Sequence, residues 1–507
     1  MTDGSDKFSG EGLFYLWHLE AIGLISVPSD GTPFNDAEHA PLWQAAKAAT
    51  GQPTRVAIID NGAPSRHPGF GDRLSDPMDF SGHANGAVYS DQQVNPFAGL
   101  YTGLSGGDQD TLAAKLAASE ALSAPLQHAL PKLTPSSCSD VKAHNYIGLD
   151  DPAERFAAHG AACAGLVGAT PVTSGGDLDA AISYSGVDPT CHIIPITSTY
   201  DQTYWPLVMS LLYALASKAD VVLMPRAIEP ASDPVPEDEY QDTRLNPRWS
   251  RIDCDPARSE DFKLLKWLAE FVAERIPMIV PAGNSGLPEL EFPASMVTDG
   301  DAPIIVAGAA TALGRRASYS NHLPGFDGET TGVTVYAPSD DRAEISDTQF
   351  RIDPFGWSGR NIPYAKYARG NLFSPYSVLT TDLPGRFGYS AEEGDDYDWH
   401  EQGVPPGYAD LPEFRNQSLY TLFGGTSAAS AITAGVASLV QTLARAYLGA
   451  PLTGIQMRDL MRNLQAPAEV RHGYLDPRGD IAWDSPIAHH LHLPGSESDL
   501  RARLDVL

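Results

Sequence analysis

Four short segments carry side chains that could cooperate in chemistry. Val56-Ala-Ile-Ile-Asp60-Asn-Gly62 ends an apolar run on a carboxylate, with a glycine that permits a sharp exit. His159-Gly160 opens Ala161-Ala-Cys-Ala-Gly165-Leu-Val-Gly168, a run so rich in small residues that its helix must approach another backbone closely. Gly424-Gly-Thr-Ser427 leads directly into a second small-residue helix. A serine there lies beside free N–H groups and the positive end of the helix dipole, where a developing oxyanion is stabilised. Val280-Pro-Ala-Gly-Asn284-Ser-Gly286 ends another apolar run on an amide held between glycines, a group able to donate to the same oxyanion. Each segment also has a bland reading: Asp60 capping a turn, His159 on a surface or cap, Ser427 as an N-cap, Asn284 as turn chemistry. Together, carboxylate, imidazole, hydroxyl and amide are the parts of an acyl-transfer site. The serine is not in a G-x-S-x-G elbow, because Ala429 stands two residues after it. The order Asp, His, Ser also differs from the Ser, acid, His order of α/β-hydrolases.

Such side chains need a scaffold, and the rest of the chain supplies one. Val56–Ile59, His192–Ile196, Val221–Met224, Met278–Ala282, Ile304–Ala307 and Val333–Ala337 are short apolar runs. Runs of this kind suit strands covered on both faces, as in a parallel sheet. Between them lie helix patterns at Leu207–Ala216, Ser259–Arg275 and Ser427–Tyr447, the second with Ser259 as N-cap and acids in its first turn. Alternating strands and helices predict an α/β fold: a doubly wound, mostly parallel sheet with helices on both faces. Asp60 then lies at the carboxyl end of a strand, where such folds place their sites.

Three stretches interrupt the alternation and read as long loop insertions: 71–150 around one Ala-rich helix near 110–124, the acidic 229–258, and 340–418. The expected organisation is one domain over 1–490, with 491–507 as a tail. A formal charge of −30 over 507 residues disfavours nucleic acid and anionic membrane as partners. It leaves steering of cationic substrates open beside plain solubility. No stretch reads as the roughly 20 apolar residues of a membrane-spanning helix. The first residues carry acids where a signal peptide would carry basic ones. Cys138, Cys163, Cys191 and Cys254 show no metal-ligand spacing. Cys163 and Cys191 read as buried thiols, and a cytoplasmic setting is expected.

With these motifs in hand, the chain resembles the subtilisin-like (subtilase) serine peptidases from about Trp17 to about Trp483. The likeness runs in order through Leu19-Glu-Ala-Ile-Gly23, Trp43-Gln-Ala-Ala, Asp60-Asn-Gly62 with His67-Pro-Gly-Phe70, and His159-Gly160 with Ala164-Gly165. It continues through Gly186-Val-Asp-Pro189, Ile193-Ile-Pro-Ile196, Ala282-Gly-Asn284-Ser-Gly286, Phe292-Pro-Ala-Ser295, Ala317-Ser-Tyr-Ser-Asn321, Ala337-Pro338 and Gly425-Thr-Ser427. The resemblance implies a serine endopeptidase. Ser427 would be its nucleophile, His159 its general base and then acid, and Asp60 the group orienting the imidazole. Asn284 and the Ser427 N–H would hold the oxyanion. It implies no cofactor for catalysis and a protein or peptide substrate; no separate inhibitory pro-segment is visible, and control is expected from a regulatory protein partner, an insertion or the substrate itself.

Some relatives hold structural calcium, but the acidic cluster Glu392, Glu393, Asp395, Asp396 and Asp398 lacks an EF-hand spacing and does not support one here. The family's substrate-binding strand, normally Ser-hydrophobic-Gly, reads Pro225-Arg226-Ala227 here, with Gly283 beside Asn284 completing the expected substrate-binding set. Proline loses its N–H but keeps an acceptor carbonyl. The serine helix has Ala428-Ala429 and Ala431 where relatives carry Met-Ala and a proline, and Ala161 replaces a threonine after His-Gly. The 99-residue step from Asp60 to His159 puts the 71–150 insertion beside the cleft, where it invites a lid or regulatory role. The alternative reading is a catalytically silent subtilase scaffold acting as a binding or regulatory module.

Overall fold

The apolar runs, joined by a two-residue edge strand β2, pair as the strands of one parallel sheet: β1 (Arg55–Asp60), β2 (Met78–Asp79), β3 (His192–Thr197), β4 (Val221–Leu223), β5 (Met278–Pro281), β6 (Ile305–Ala310) and β7 (Val335–Pro338). The computed structural model describes residues 16–26, 36–49, 51–61, 67–75, 78–80, 101–134, 157–172, 184–198, 204–227, 259–299, 302–311, 314, 316–317, 319–323, 332–340, 377–382, 420–467 and 489–507. The sheet order is β2-β3-β1-β4-β5-β6-β7, and every pairing in it is parallel. In register, Ile58 lies between Pro195 of β3 and Leu223 of β4. The pleat sends alternate side chains to opposite faces. Val56 and Ile58 enter one core, while Ala57 and Ile59 enter the other.

The first core is covered by the helices Ala157–Gly168 and Gly425–Leu448, with the N-terminal helix Pro41–Ala48 and the C-terminal helix Glu497–Leu504. The second is covered by Trp205–Ala216 and Glu260–Arg275. Ser259 caps the latter as expected, accepting from Phe262 N at 3.2 Å. Gly425–Leu448 qualifies by length and composition as a membrane-crossing helix, against the sequence expectation. Its apolarity has a different cause: 94% of its most apolar window is buried inside the protein.

The strand order explains where a site belongs. From β1 the chain builds β3 and β2 to one side, then returns to place β4 and its successors on the other. The crevice at this reversal opens between the carboxyl ends of β1 and β4. Asp60 ends β1, and Pro225 lies just beyond β4.

Several details differ from the sequence reading. Two residues of the 71–150 stretch, Met78 and Asp79, add an edge strand too short to show in a pattern. The Ala-rich helix spans Gly106–Ala117, because Ser105 accepts from Asp108 N and starts it earlier than expected. With Ala124–Ala129 it packs into the second core through Leu112, Leu116 and Leu126. Both ends of helix Glu260–Arg275 are tied to this segment. Arg275 Nε bonds Asp108 Oδ1 at 2.9 Å, and Ser123 N donates to Asp261 at 2.9 Å. Residues 101–134 therefore clad a core helix, which is not the arrangement of a lid. Residues 81–100, 135–156, 229–258 and the acidic cluster at 392–398 lie outside the described residues. The 491–507 segment is no tail: Leu500 and Leu504 enter the first core, and Leu493 N donates to Ile22 O at 2.7 Å.

Candidate active site

Asp60 is fully buried at the end of β1. Its carboxylate accepts from Asn61 N at 2.6 Å and meets His159 Nδ1 at 2.7 and 2.9 Å. A carboxylate can only accept, so the Nδ1 position carries the proton, and in the neutral ring Nε2 is the nitrogen that bears the lone pair. His159 sits in the first turn of Ala157–Gly168, its side chain 14% exposed and its ring against Phe423 with centroids 5.2 Å apart.

The small residues of this helix serve the close approach that the sequence demands. Strand β8 (Val378–Thr381), paired antiparallel with β9 (Tyr420–Phe423), lies against it. Thr380 Oγ1 donates to Ala162 O at 2.6 Å and Thr381 Oγ1 to Ala161 O at 2.7 Å. A Cβ on Gly165 would fall 2.3 Å from Thr381 Oγ1, and one on Gly168 2.7 Å from Asp188 O.

One turn after His159, Cys163 brings its sulfur to 3.9 Å from Nδ1. Burial, and then the Asp60 charge, push its thiol well above the usual range. The donor atoms of Asp60, His159 and Cys163 lie within 4.8 Å of one another, the grouping among the described residues that could hold a metal ion. Nδ1 is already engaged with the carboxylate, so an ion there would take the histidine's orienting contact rather than add to it.

Ser427 is the third residue of Gly425–Leu448, with Gly424 as the N-cap, so its hydroxyl is not used for capping. It donates to the carbonyl of Pro225 at 3.1 Å. The acceptor expected to survive at Pro225 is therefore present and faces the serine. Asn284 lies on the opposite side, after β5. Its Oδ1 accepts from Thr426 N at 2.9 Å and Thr426 Oγ1 at 2.8 Å. Because the Thr426 N–H can only donate, the amide orientation is fixed and Nδ2 is the end turned away from Thr426.

Gly283 adopts φ +110°, and a side chain there would meet Asn321 Nδ2 at 2.4 Å. Asn321 braces this loop by accepting from Ser285 N and Leu287 N at 3.0 Å each, and by donating to Glu291 at 3.1 Å. Arg226 is buried, with Nη1 on Ser198 Oγ at 3.0 Å, and Ala227 is half-buried.

The structure thus brings Asp60 and His159 into direct contact, joins Ser427 to Pro225, and ties Asn284 to Thr426, the residue before Ser427. The bracing by Thr380, Thr381, Asn321 and Glu291 was not read from the sequence. Asn321 stood within a quoted motif, but its partners lie 34 and 36 residues away and leave no local signal.

A doubly wound parallel sheet with a buried carboxylate–imidazole pair, a helix-borne serine and a loop amide around its reversal point is an arrangement that suits serine-hydrolase chemistry. The sequence model of the subtilase family matches residues 51–476. The chain belongs to the subtilase family and is a serine protease of that kind. Among solved structures it is similar to a cold adapted subtilisin-like serine proteinase, at 14% identity and TM-score 0.43 over 94% of this chain and 97% of that one. It is also similar to the serine protease of Aeromonas sobria, at 17% identity and TM-score 0.44 over 90% of this chain and 60% of that one. The PatG macrocyclase domain matches at 13% identity and TM-score 0.45, over 94% of this chain and 99% of that one. No curated protein matches the sequence significantly.

Proposed function

We propose that the chain is an endopeptidase that cleaves protein or peptide substrates through an acyl-enzyme on Ser427. The observation that carries this reading is the contact of His159 Nδ1 with the buried Asp60 carboxylate at 2.7 Å. It leaves Nε2 as the base and gives the imidazolium formed during the reaction a fixed counter-charge.

In the resting geometry the Ser427 proton is directed at the Pro225 carbonyl. A substrate strand that pairs its N–H with that carbonyl competes for the same acceptor and turns the hydroxyl toward Nε2. His159 then takes the Ser427 proton as Oγ attacks the scissile carbonyl. The oxyanion is held by Asn284 Nδ2 and the Ser427 N–H. His159 returns its proton to the leaving amine as the C–N bond breaks, and water repeats the sequence on the ester. The steps use groups of this chain and water, and no cofactor enters the scheme. The proposed setting is the cytoplasm, and a regulatory protein remains the proposed partner.

The test is labelling of the purified protein by a fluorophosphonate, mapped by mass spectrometry, beside Ser427→Ala. Labelling confined to Ser427, with loss of all peptide hydrolysis in the folded variant, is expected. A folded wild-type protein that never labels points instead to a silent scaffold, and hydrolysis retained by Ser427→Ala overturns the assignment of the nucleophile.

A further inference from the structure

The segment that follows β7 carries chemistry that the proposed reaction does not use. Asp340 is 4% exposed, and its carboxylate is set against the glycine turn that leads into the Ser427 helix. Gly425 N donates to Asp340 Oδ1 at 3.2 Å. Gly424 packs so closely that a Cβ there would lie 2.3 Å from Asp340 Cγ. Its φ of −153° is open to any residue, so the carboxylate, not the backbone conformation, excludes a side chain.

The same turn is gripped through its other peptide group. Ser339 Oγ donates to Gly425 O at 2.7 Å, and Tyr319 OH lies 2.9 Å from Ser339 Oγ. Tyr319 OH also donates to Asp340 Oδ1. Tyr319 is buried, so its ring fixes where that hydroxyl can be. Both the N–H and the C=O of Gly425 are thus held by side chains from one rigid corner of the fold. The next residue, Thr426, is held from the opposite side by Asn284 Oδ1, and Ser427 follows it.

We propose that Asp340 is a positioning residue. With Tyr319 and Ser339 it clamps the Gly424–Gly425 turn, so that the Ser427 N–H and Asn284 Nδ2 converge on one oxyanion. The inference rests on the roles proposed above for Ser427 and Asn284. A carboxylate so near an oxyanion site would be an electrostatic liability if its role were charge. Its role is geometric: it supplies an oriented acceptor to Gly425 N and to Tyr319, an arrangement that a carboxamide oxygen can reproduce. Oxyanion donors act only when they sit within hydrogen-bond reach of the place where charge develops. Releasing the turn from one side lets both donors drift together.

The experiment uses the full chain and follows fluorophosphonate labelling of Ser427, separating the maximal labelling rate from the reagent concentration at half-saturation. Asp340→Ala is expected to lower the maximal rate by about 100-fold, the loss that a misplacement of about 1 Å produces, with half-saturation within about twofold. Asp340→Asn should label within about threefold of wild type, because it keeps the acceptor. In an Asn284→Ala background, where one donor is already gone, Asp340→Ala should cost about tenfold less than in the wild type. A merely structural role would give independent losses.

Should Asp340→Ala fail to fold, Tyr319→Phe keeps the ring and removes only the hydroxyl. It should slow labelling about tenfold, which corresponds to about 1.4 kcal/mol in the barrier. Wild-type labelling with an unchanged Asp340→Ala or Tyr319→Phe rate overturns the clamp and leaves the proposed triad standing. So does a loss that persists in full without Asn284. A wild-type protein that never labels overturns the triad reading and the clamp with it.

Discussion

Gly165→Ala is the substitution whose effect the structure specifies most fully. The added methyl would lie 2.3 Å from Thr381 Oγ1, 2.4 Å from Thr380 Oγ1 and 2.7 Å from Thr381 N. Comfortable carbon contacts begin near roughly 3.5 Å, so about 1 Å of separation must be created. Neither threonine can swing aside cheaply, because both hydroxyls are committed to helix carbonyls at 2.6 and 2.7 Å. The backbone nitrogen cannot rotate at all. The helix and β8 must therefore part. Overpacking of this kind costs about 1–3 kcal/mol, and loss of both threonine bonds would add about 2 kcal/mol. His159 stands on the same helix, less than two turns before Gly165. Moving the helix by about 1 Å stretches its 2.7 Å contact with Asp60 past hydrogen-bond reach, and displacements of that size cost about 100-fold in rate. Urea unfolding with fluorophosphonate labelling of Ser427 reads both effects. A Gly165→Ala protein within about 1 kcal/mol of wild-type stability, labelling at the wild-type rate, would refute the idea that this helix–strand contact holds the imidazole in place.

Two further outcomes follow from buried groups outside the proposed reaction. His18 is wholly buried, neither ring nitrogen has a hydrogen-bond partner among the described residues, and burial pulls its pKa down to about 3. A histidine depressed in the fold stabilises it fully above its unfolded value of about 6.5, and that contribution drains away as pH falls toward about 3, a span worth roughly 5 kcal/mol. His18→Leu should therefore flatten the acid side of the pH–stability curve and raise stability near neutrality. Parallel curves for the two proteins would sink this account. Cys163 and Cys191 are free buried thiols, both pushed well above the usual range by burial first. In the native protein at neutral pH, peptide mapping should find both unmodified by iodoacetamide and both modified in denaturant. Rapid native alkylation of Cys163 would show that the wall behind His159 opens readily.

The scaffold was legible where one chain segment carries its own signal. Continuous apolar runs gave the major strands to within a few residues, because strands covered on both faces have no polar side to disguise them. Ser259 and the acids after it marked a helix start that the structure reproduces. Asp60, His159, Ser427 and Asn284 could be proposed from the sequence because each lies at or just beyond the end of a strand, or near the start of a helix, beside small residues. What was illegible depends on partners far apart in sequence. Thr380 and Thr381 meet the histidine helix across 218 and 220 residues, and Asp340 meets Gly425 across 85. No local pattern announces such a bond. The 491–507 segment is a different case, since Ser496 before Glu497 and Asp499, with Leu500 and Leu504 spaced by four, is a readable capped helix. It was misread because so short a helix gains most of its stability from packing against the core, which composition does not reveal.

The proposed site is divided between two sets of supports joined through the Ser427 helix. On the β1 side, Asp60 and His159 are aligned by Thr380, Thr381 and the glycines of the histidine helix. On the β5 side, Asn284 and Thr426 are aligned by Asn321, Glu291 and the Tyr319–Ser339–Asp340 corner. Ser427 belongs to both, because its helix begins in the second set and packs along the first through Gly435, where a Cβ would lie 3.1 Å from Val167 O. This division explains why small residues crowd both helices. A side chain at Gly435 would change the spacing between the halves, and one at Gly165 the spacing within the first; either would alter the proposed path of the proton from Ser427 to His159. It explains equally why the alanines at 428, 429 and 431 are compatible with the proposed chemistry. They are fully buried within the helix, whereas the orientation of the serine is set upstream, at Gly424, Gly425 and Thr426.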